Sequence, residues 1–140
     1  MNLEEIEKLP DRMPSETLAL IFQNVLIEFA LENIDKREFL LILSQLTDRQ
    51  VMTYEVLENE TRKQVDKILC NLWNTDSYED VDIILSIVVN LGLENCFVKI
   101  KESIKQNEKI DGMILNEILE TIDEVGVNIS NPYHNLERYK

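Results

Sequence analysis

Glycine, proline and histidine are scarce in this chain of 140 residues: three, three and one. Between Ser15 and Leu91 there is neither glycine nor proline. The Asn-Gly and Asp-Gly turns that tight hairpins prefer are therefore missing from that stretch. The single histidine, His134, stands between Tyr133 and Asn135 in a polar segment. A general base needs a fixed partner and a dry site, and nothing around His134 supplies either. No Gly-x-Ser-x-Gly occurs, no cysteine stands near a histidine, and no glycine-rich loop carries a lysine. The motifs of a nucleophile elbow and of a phosphate-cradling loop are thus absent. The expectation is a protein that is not an enzyme and carries no cofactor.

Cysteine is equally sparse. Cys70 and Cys96 sit inside apolar-patterned segments and form no CxxC or zinc spacing. They read as small buried thiols of a reducing compartment. Carboxylates are more numerous. Asp76, Glu79, Asp80 and Asp82 form a dense acidic group, with Glu79 and Asp82 three apart on one helix face. Helical di-metal sites combine such acids with Glu-x-x-His, which this chain lacks, and the EF-hand spacing does not occur. The acids read as a helix start that favours the positive end of the dipole, so no metal is expected.

Long hydrophobic runs are missing as well. The strongest, from Ile83 to Val89, is far too short to span a bilayer. The start of the chain is acidic, with neither a basic nor an apolar leader region, so no signal peptide is expected and the protein is placed in the cytoplasm. Basic residues are outnumbered, 14 Lys and Arg against 27 Asp and Glu, for a net charge of −13. That excess opposes general nucleic-acid binding and anionic membrane surfaces, and it suits a basic protein partner.

What is present is helical patterning. Apolar residues make up 44% of the chain and recur at three and four residues, which predicts an all-α fold of about seven helices. One domain is expected over 1–140, with a short acidic segment at 1–14 and a polar tail at 127–140. Ser15, after Pro14, is expected to cap a helix to about Glu32. Its face is Leu18, Ile21, Phe22, Val25, Leu26 and Phe29. Asp35 and Glu38 have capping-box spacing and open a second helix with Phe39, Leu40, Ile42, Leu43 and Leu46. Asp48 is expected to cap a third, to about Glu58, and a fourth runs from about Thr61 to Trp73. Asn74 to Ser77 is the clearest interior break, with Asp76 and Glu79 at capping-box spacing. The next helix should stop at Gly92, a natural left-handed position, followed by apolar Leu93. Another is expected from Glu94 to Gln106. Asp111 opens the last, which should end at Gly126 and Val127.

A shift of 34 residues lays Ile84, Leu85, Val88, Leu91, Gly92 and Leu93 on Ile118, Leu119, Ile122, Val125, Gly126 and Val127. Such a period suits antiparallel helix pairs in a short HEAT-like α-solenoid; a compact bundle is the alternative. Charge follows the same division. No Lys or Arg occurs between Lys67 and Lys99, or between Lys109 and Arg138, while Asp76, Glu79, Asp80, Asp82, Glu117, Glu120 and Glu124 fall in those gaps. Equivalent repeats would line these acids along one side and steer a cationic partner. Trp73 and Tyr78 flank the acidic break as candidate interface anchors. An equally open reading is that Trp73 ends the buried stripe of its helix.

The stretch Leu72-Trp73-Asn74-Thr75-Asp76-Ser77-Tyr78-Glu79, with Ile83 to Leu93 after it, resembles the central block of small all-α immunity proteins of bacterial polymorphic-toxin and contact-dependent inhibition systems. It is similar to immunity protein family 30. The resemblance implies a cytosolic antidote that binds and blocks a cognate toxin domain, commonly a nuclease with a basic cleft. Trp73, Asp76, Tyr78, Glu79, Asp80, Asp82, Glu117, Glu120 and Glu124 are then the candidate partner-binding residues. The alternative is a helical-repeat adaptor that holds a cellular partner.

Overall fold

A computed structural model describes residues 2–106, 109–125 and 129. The chain is all-α: seven helices and no strand occur among the described residues. None of these helices is long and apolar enough to cross a membrane. The chain groups into two compact units, one up to Val65 and one from Asp66 onward. Gly126, Val127, His134 and the tail lie outside the described residues, apart from Ile129.

In the first unit, α1 (Leu3–Glu7), α2 (Ser15–Ala30) and α3 (Lys36–Val51) pack together, and α4 (Asn59–Leu72) begins. The acidic segment at the start is itself a short helix. Asn2 caps it through a 2.9 Å bond from the Glu5 amide, and Ile6 is its buried anchor. Asp35 caps α3, as its spacing predicts, accepting the Glu38 amide at 2.8 Å. The Glu38 carboxylate accepts the Leu3 amide at 3.1 Å and so ties α1 to α3. Phe29 of α2 stacks on Phe39 of α3, with centroids 4.0 Å apart and planes 7° from parallel. On the other side of α2, Leu20, Ile27 and Leu31 are exposed.

Two local expectations give way here. Ser15 does not cap α2, whose N-cap position is Pro14; the Ser15 hydroxyl instead accepts the Gln50 side-chain amide at 3.2 Å. Asp48 does not open a helix, because α3 runs through it to Val51. The buried face of α3 continues past Leu46 as Thr47, Arg49 and Gln50, polar residues with their own partners, so a hydrophobic count stops too early. Arg49 donates to the carbonyls of Leu9, Pro10 and Gln45 and to the Gln45 side chain, which fixes the α1–α2 connection. The helix ends themselves were masked by the lack of glycine. Glu32 (φ 62°) and Tyr54 (φ 55°) take the left-handed positions after α2 and α3. Beyond Glu32, the Asn33 amide bonds to the Glu28 carbonyl at 3.0 Å, the pattern of a Schellman stop.

The second unit holds the rest of α4 with α5 (Tyr78–Leu91), α6 (Glu94–Gln106) and α7 (Gly112–Val125). The N-cap of α5 is Ser77, not Asp76: its hydroxyl accepts the Asp80 amide, whereas the Asp76 amide donates to Asn74 within the turn. Gly92 ends α5 at φ 69°, ψ 49°, and the Leu93 amide reaches the Val88 carbonyl at 3.0 Å. Leu93 is fully buried, so chain reversal and core contact come from the same two residues. Asp111 starts α7 by accepting the Met113 amide at 2.9 Å.

Candidate functional site

α5 and α7 lie side by side. Near their starts, Tyr78 and Asp82 of α5 meet Glu117 of α7. Further along, Val89 and Asn90 share a groove with Glu124. The pairing advances in the same sense on both helices, so they run parallel, with α6 returning between them in the chain. The partners are about one repeat period apart in sequence. The repeat is unequal in burial: Ile84 and Ile118 are both fully buried, while Leu85 is covered and its counterpart Leu119 is not. Leu85 lies on the side where α7 sits, and Leu119 lies beside an apolar recess with Val98, Ile104 and Ile122.

The groove between α5 and α7 encloses about 190 Å³. Asp82, Glu117 and Glu124 supply its charge, and Ser86, Asn90 and Thr121 supply neutral polar groups. Neither helix contains a Lys or Arg. The Tyr78 hydroxyl faces the Glu117 carboxylate. Glu117 Oε2 is enclosed and accepts no bond from a protein donor. Its neighbour is the Asp82 carboxylate. That side chain, first, and partial burial, second, raise the pKa of Glu117, with the Tyr78 hydroxyl acting against them. The Glu117 side chain and its charge raise the Tyr78 phenol, with smaller contributions from Asp82 and Glu120. Carboxylates gathered this closely, with no basic residue on either helix, form a cation-seeking surface that a guanidinium or ammonium group neutralises.

The nine residues singled out by sequence divide in three. Asp82, Glu117 and Glu124 line this groove, and Tyr78 and Glu120 lie near Glu117. Asp76 and Glu79 are exposed and do not line it, and Asp80 is held by the turn, accepting the Asn74 amide group at 3.3 Å. Trp73 is placed in the core. It is 8% exposed, and its indole N–H donates to Ser103 at 3.2 Å, so it is not offered to a partner as an anchor. The stripe of its helix simply extends one residue further.

Sequence reasoning missed the role of Asp66. It is 6% exposed, and its two carboxylate oxygens accept the amides of Asn95 (3.0 Å) and Cys96 (2.7 Å) in the first turn of α6. A side chain of α4 thus caps α6 from 29 and 30 residues away. Its sequence signal is slight: a lone acid in a helix whose neighbours follow the ordinary amphipathic pattern.

No family model matches the chain, and no curated protein or solved structure matches it either.

Proposed function

We propose that this chain is an interaction protein of the immunity type, which binds and neutralises a basic toxin domain through the α5–α7 groove. The observation that supports this reading is the convergence of Tyr78, Asp82, Glu117, Glu120 and Glu124 from two helices that carry no basic residue. A nuclease toxin presents cations to hold phosphate, and a fixed array of carboxylates competes for the same cations. On this reading the protein performs no catalysis, needs no cofactor, and works in the cytoplasm, where its target would act.

The test is to read the neighbouring gene for a toxin-like C-terminal domain, which this reading expects, and to co-express the chain with that domain. The wild-type chain should restore growth. Asp82→Lys with Glu120→Lys should abolish protection and slow association, while Glu4→Lys with Glu5→Lys, an equal change in net charge, should do neither. The association rate of the wild type should fall as ionic strength rises from about 0.01 M to 0.15 M, because the Debye length shrinks from roughly 30 Å to 8 Å. Equal effects of the two double variants would overturn the groove as the binding face. Capture of housekeeping proteins, with no protection against a toxin, would favour the adaptor reading.

A further inference from the structure

The two cysteines, 26 positions apart in sequence, meet in space. Asp66 and Cys70 share one face of α4, four residues apart, and Cys96 faces them from the first turn of α6. One donor atom from each of the three lies within 4.8 Å of the others. Cys70 Sγ is 4.0 Å from Asp66 Oδ1, and the Cys96 sulfur lies beside both. Cys96 and Asp66 are buried, while Cys70 is half-buried and leaves an approach from solvent.

We propose that Asp66, Cys70 and Cys96 form a binding site for a thiophilic divalent cation of the zinc class, with water as the fourth ligand on the Cys70 side. The dimensions suit it. Zinc–sulfur bonds of about 2.3 Å and zinc–oxygen bonds of about 2.1 Å place tetrahedral sulfur and oxygen ligands roughly 3.5 Å apart. The pair at 4.0 Å would close by about half an ångström. Each Asp66 oxygen accepts one amide hydrogen and keeps a second acceptor direction. Capping α6 also fixes the carboxylate, as metal ligands are fixed by their outer partners.

Charge suits it too. On binding, both thiol protons pass to solvent. Two thiolates and a carboxylate then face one divalent cation and the Lys99 ammonium, which is held nearby on the Cys70 carbonyl. The group is electrically neutral, which burial demands. Without a metal, burial raises both thiols, and the Lys99 charge opposes that rise at each. Two sulfur donors out of three select zinc-class ions over magnesium or calcium.

The test uses the full chain, reduced and metal-free, titrated with Co²⁺ and then with Zn²⁺. Binding at this site gives one equivalent of Co²⁺ with a thiolate-to-cobalt charge-transfer band and tetrahedral visible bands, all bleached by one equivalent of Zn²⁺. Cys70→Ser, at the half-buried position, should cut the charge-transfer intensity by about half or more. Asp66→Asn, which keeps an oxygen for one cap bond, should leave the sulfur band but weaken affinity at least about tenfold. Absence of the band in the wild type, or its full survival in Cys70→Ser, would overturn the proposal. Cys96→Ser serves as a second thiol variant with the same expectation, so the result does not depend on one substitution folding well.

Discussion

Replacing Asp66 by alanine should be among the more costly single substitutions in the chain. The side chain lies on α4, yet its two oxygens accept the first-turn amides of α6 at 3.0 and 2.7 Å in a nearly dry setting. Hydrogen bonds to a charged group contribute about 1.5–3 kcal/mol each, and a lost N-cap costs about 0.5–2 kcal/mol. These describe the same bonds, so they do not add. A loss of about 3 kcal/mol is expected, or roughly 6–12 °C in melting temperature for a chain of this size. Metal-free protein should be used, so that capping alone is measured. Urea unfolding followed by far-ultraviolet circular dichroism gives the stability, and hydrogen exchange gives the location. The amides of Asn95 and Cys96 should lose protection before the rest of α6. Asp66→Asn should fall between wild type and alanine, since one oxygen remains. Asp76→Ala, at an exposed turn position, should stay within about 0.5 kcal/mol. A loss below about 1 kcal/mol for Asp66→Ala, with both amides still protected, would refute the capping argument.

Gly92→Ala should destabilise by about 1–2 kcal/mol, because a Cβ is strained at φ 69°. Glu32→Gly, at φ 62°, should instead be neutral or stabilising by up to about 1 kcal/mol; thermal melts of both variants check the pair. The raised Glu117 pKa sets the sign of a pH effect. A carboxyl whose pKa is higher folded than unfolded adds stability below its unfolded pKa, and that contribution is lost as pH rises through the folded value. Wild-type urea midpoints should therefore lose this contribution above the usual range near 4.5, and Glu117→Gln, which keeps a donor toward Asp82, should flatten that segment of the profile. A profile unchanged by the substitution would count against a raised Glu117 carboxyl.

Much of this fold was legible in the sequence because helices are local objects. Apolar spacing at three and four residues located every helix of the second unit and most of the first, and Asp35, Gly92 and Asp111 marked their ends. Each of those signals acts within a few residues of its own backbone. Where the determinant was distant, the sequence misled or was silent. Asp48 has the look of a cap, but the burial of Thr47, Arg49 and Gln50 carries α3 past it. Glu32 and Tyr54 end helices in a conformation that their side chains disfavour, so composition gave no sign of it. Trp73 could be read as an anchor or as the end of its helix's buried stripe, and Ser103, thirty residues away, which takes its indole hydrogen, belongs to the second reading. The acids on α5 and α7 could be suspected of sharing a side from the 34-residue period, since equal repeats stack in register. That Asp82 and Glu117 share one pocket, and that Asp66 gathers Cys70, Cys96 and the start of α6, was decided by tertiary packing alone. The energy of those contacts depends on partners the chain brings together only after folding, and no residue carries that information in its own neighbourhood.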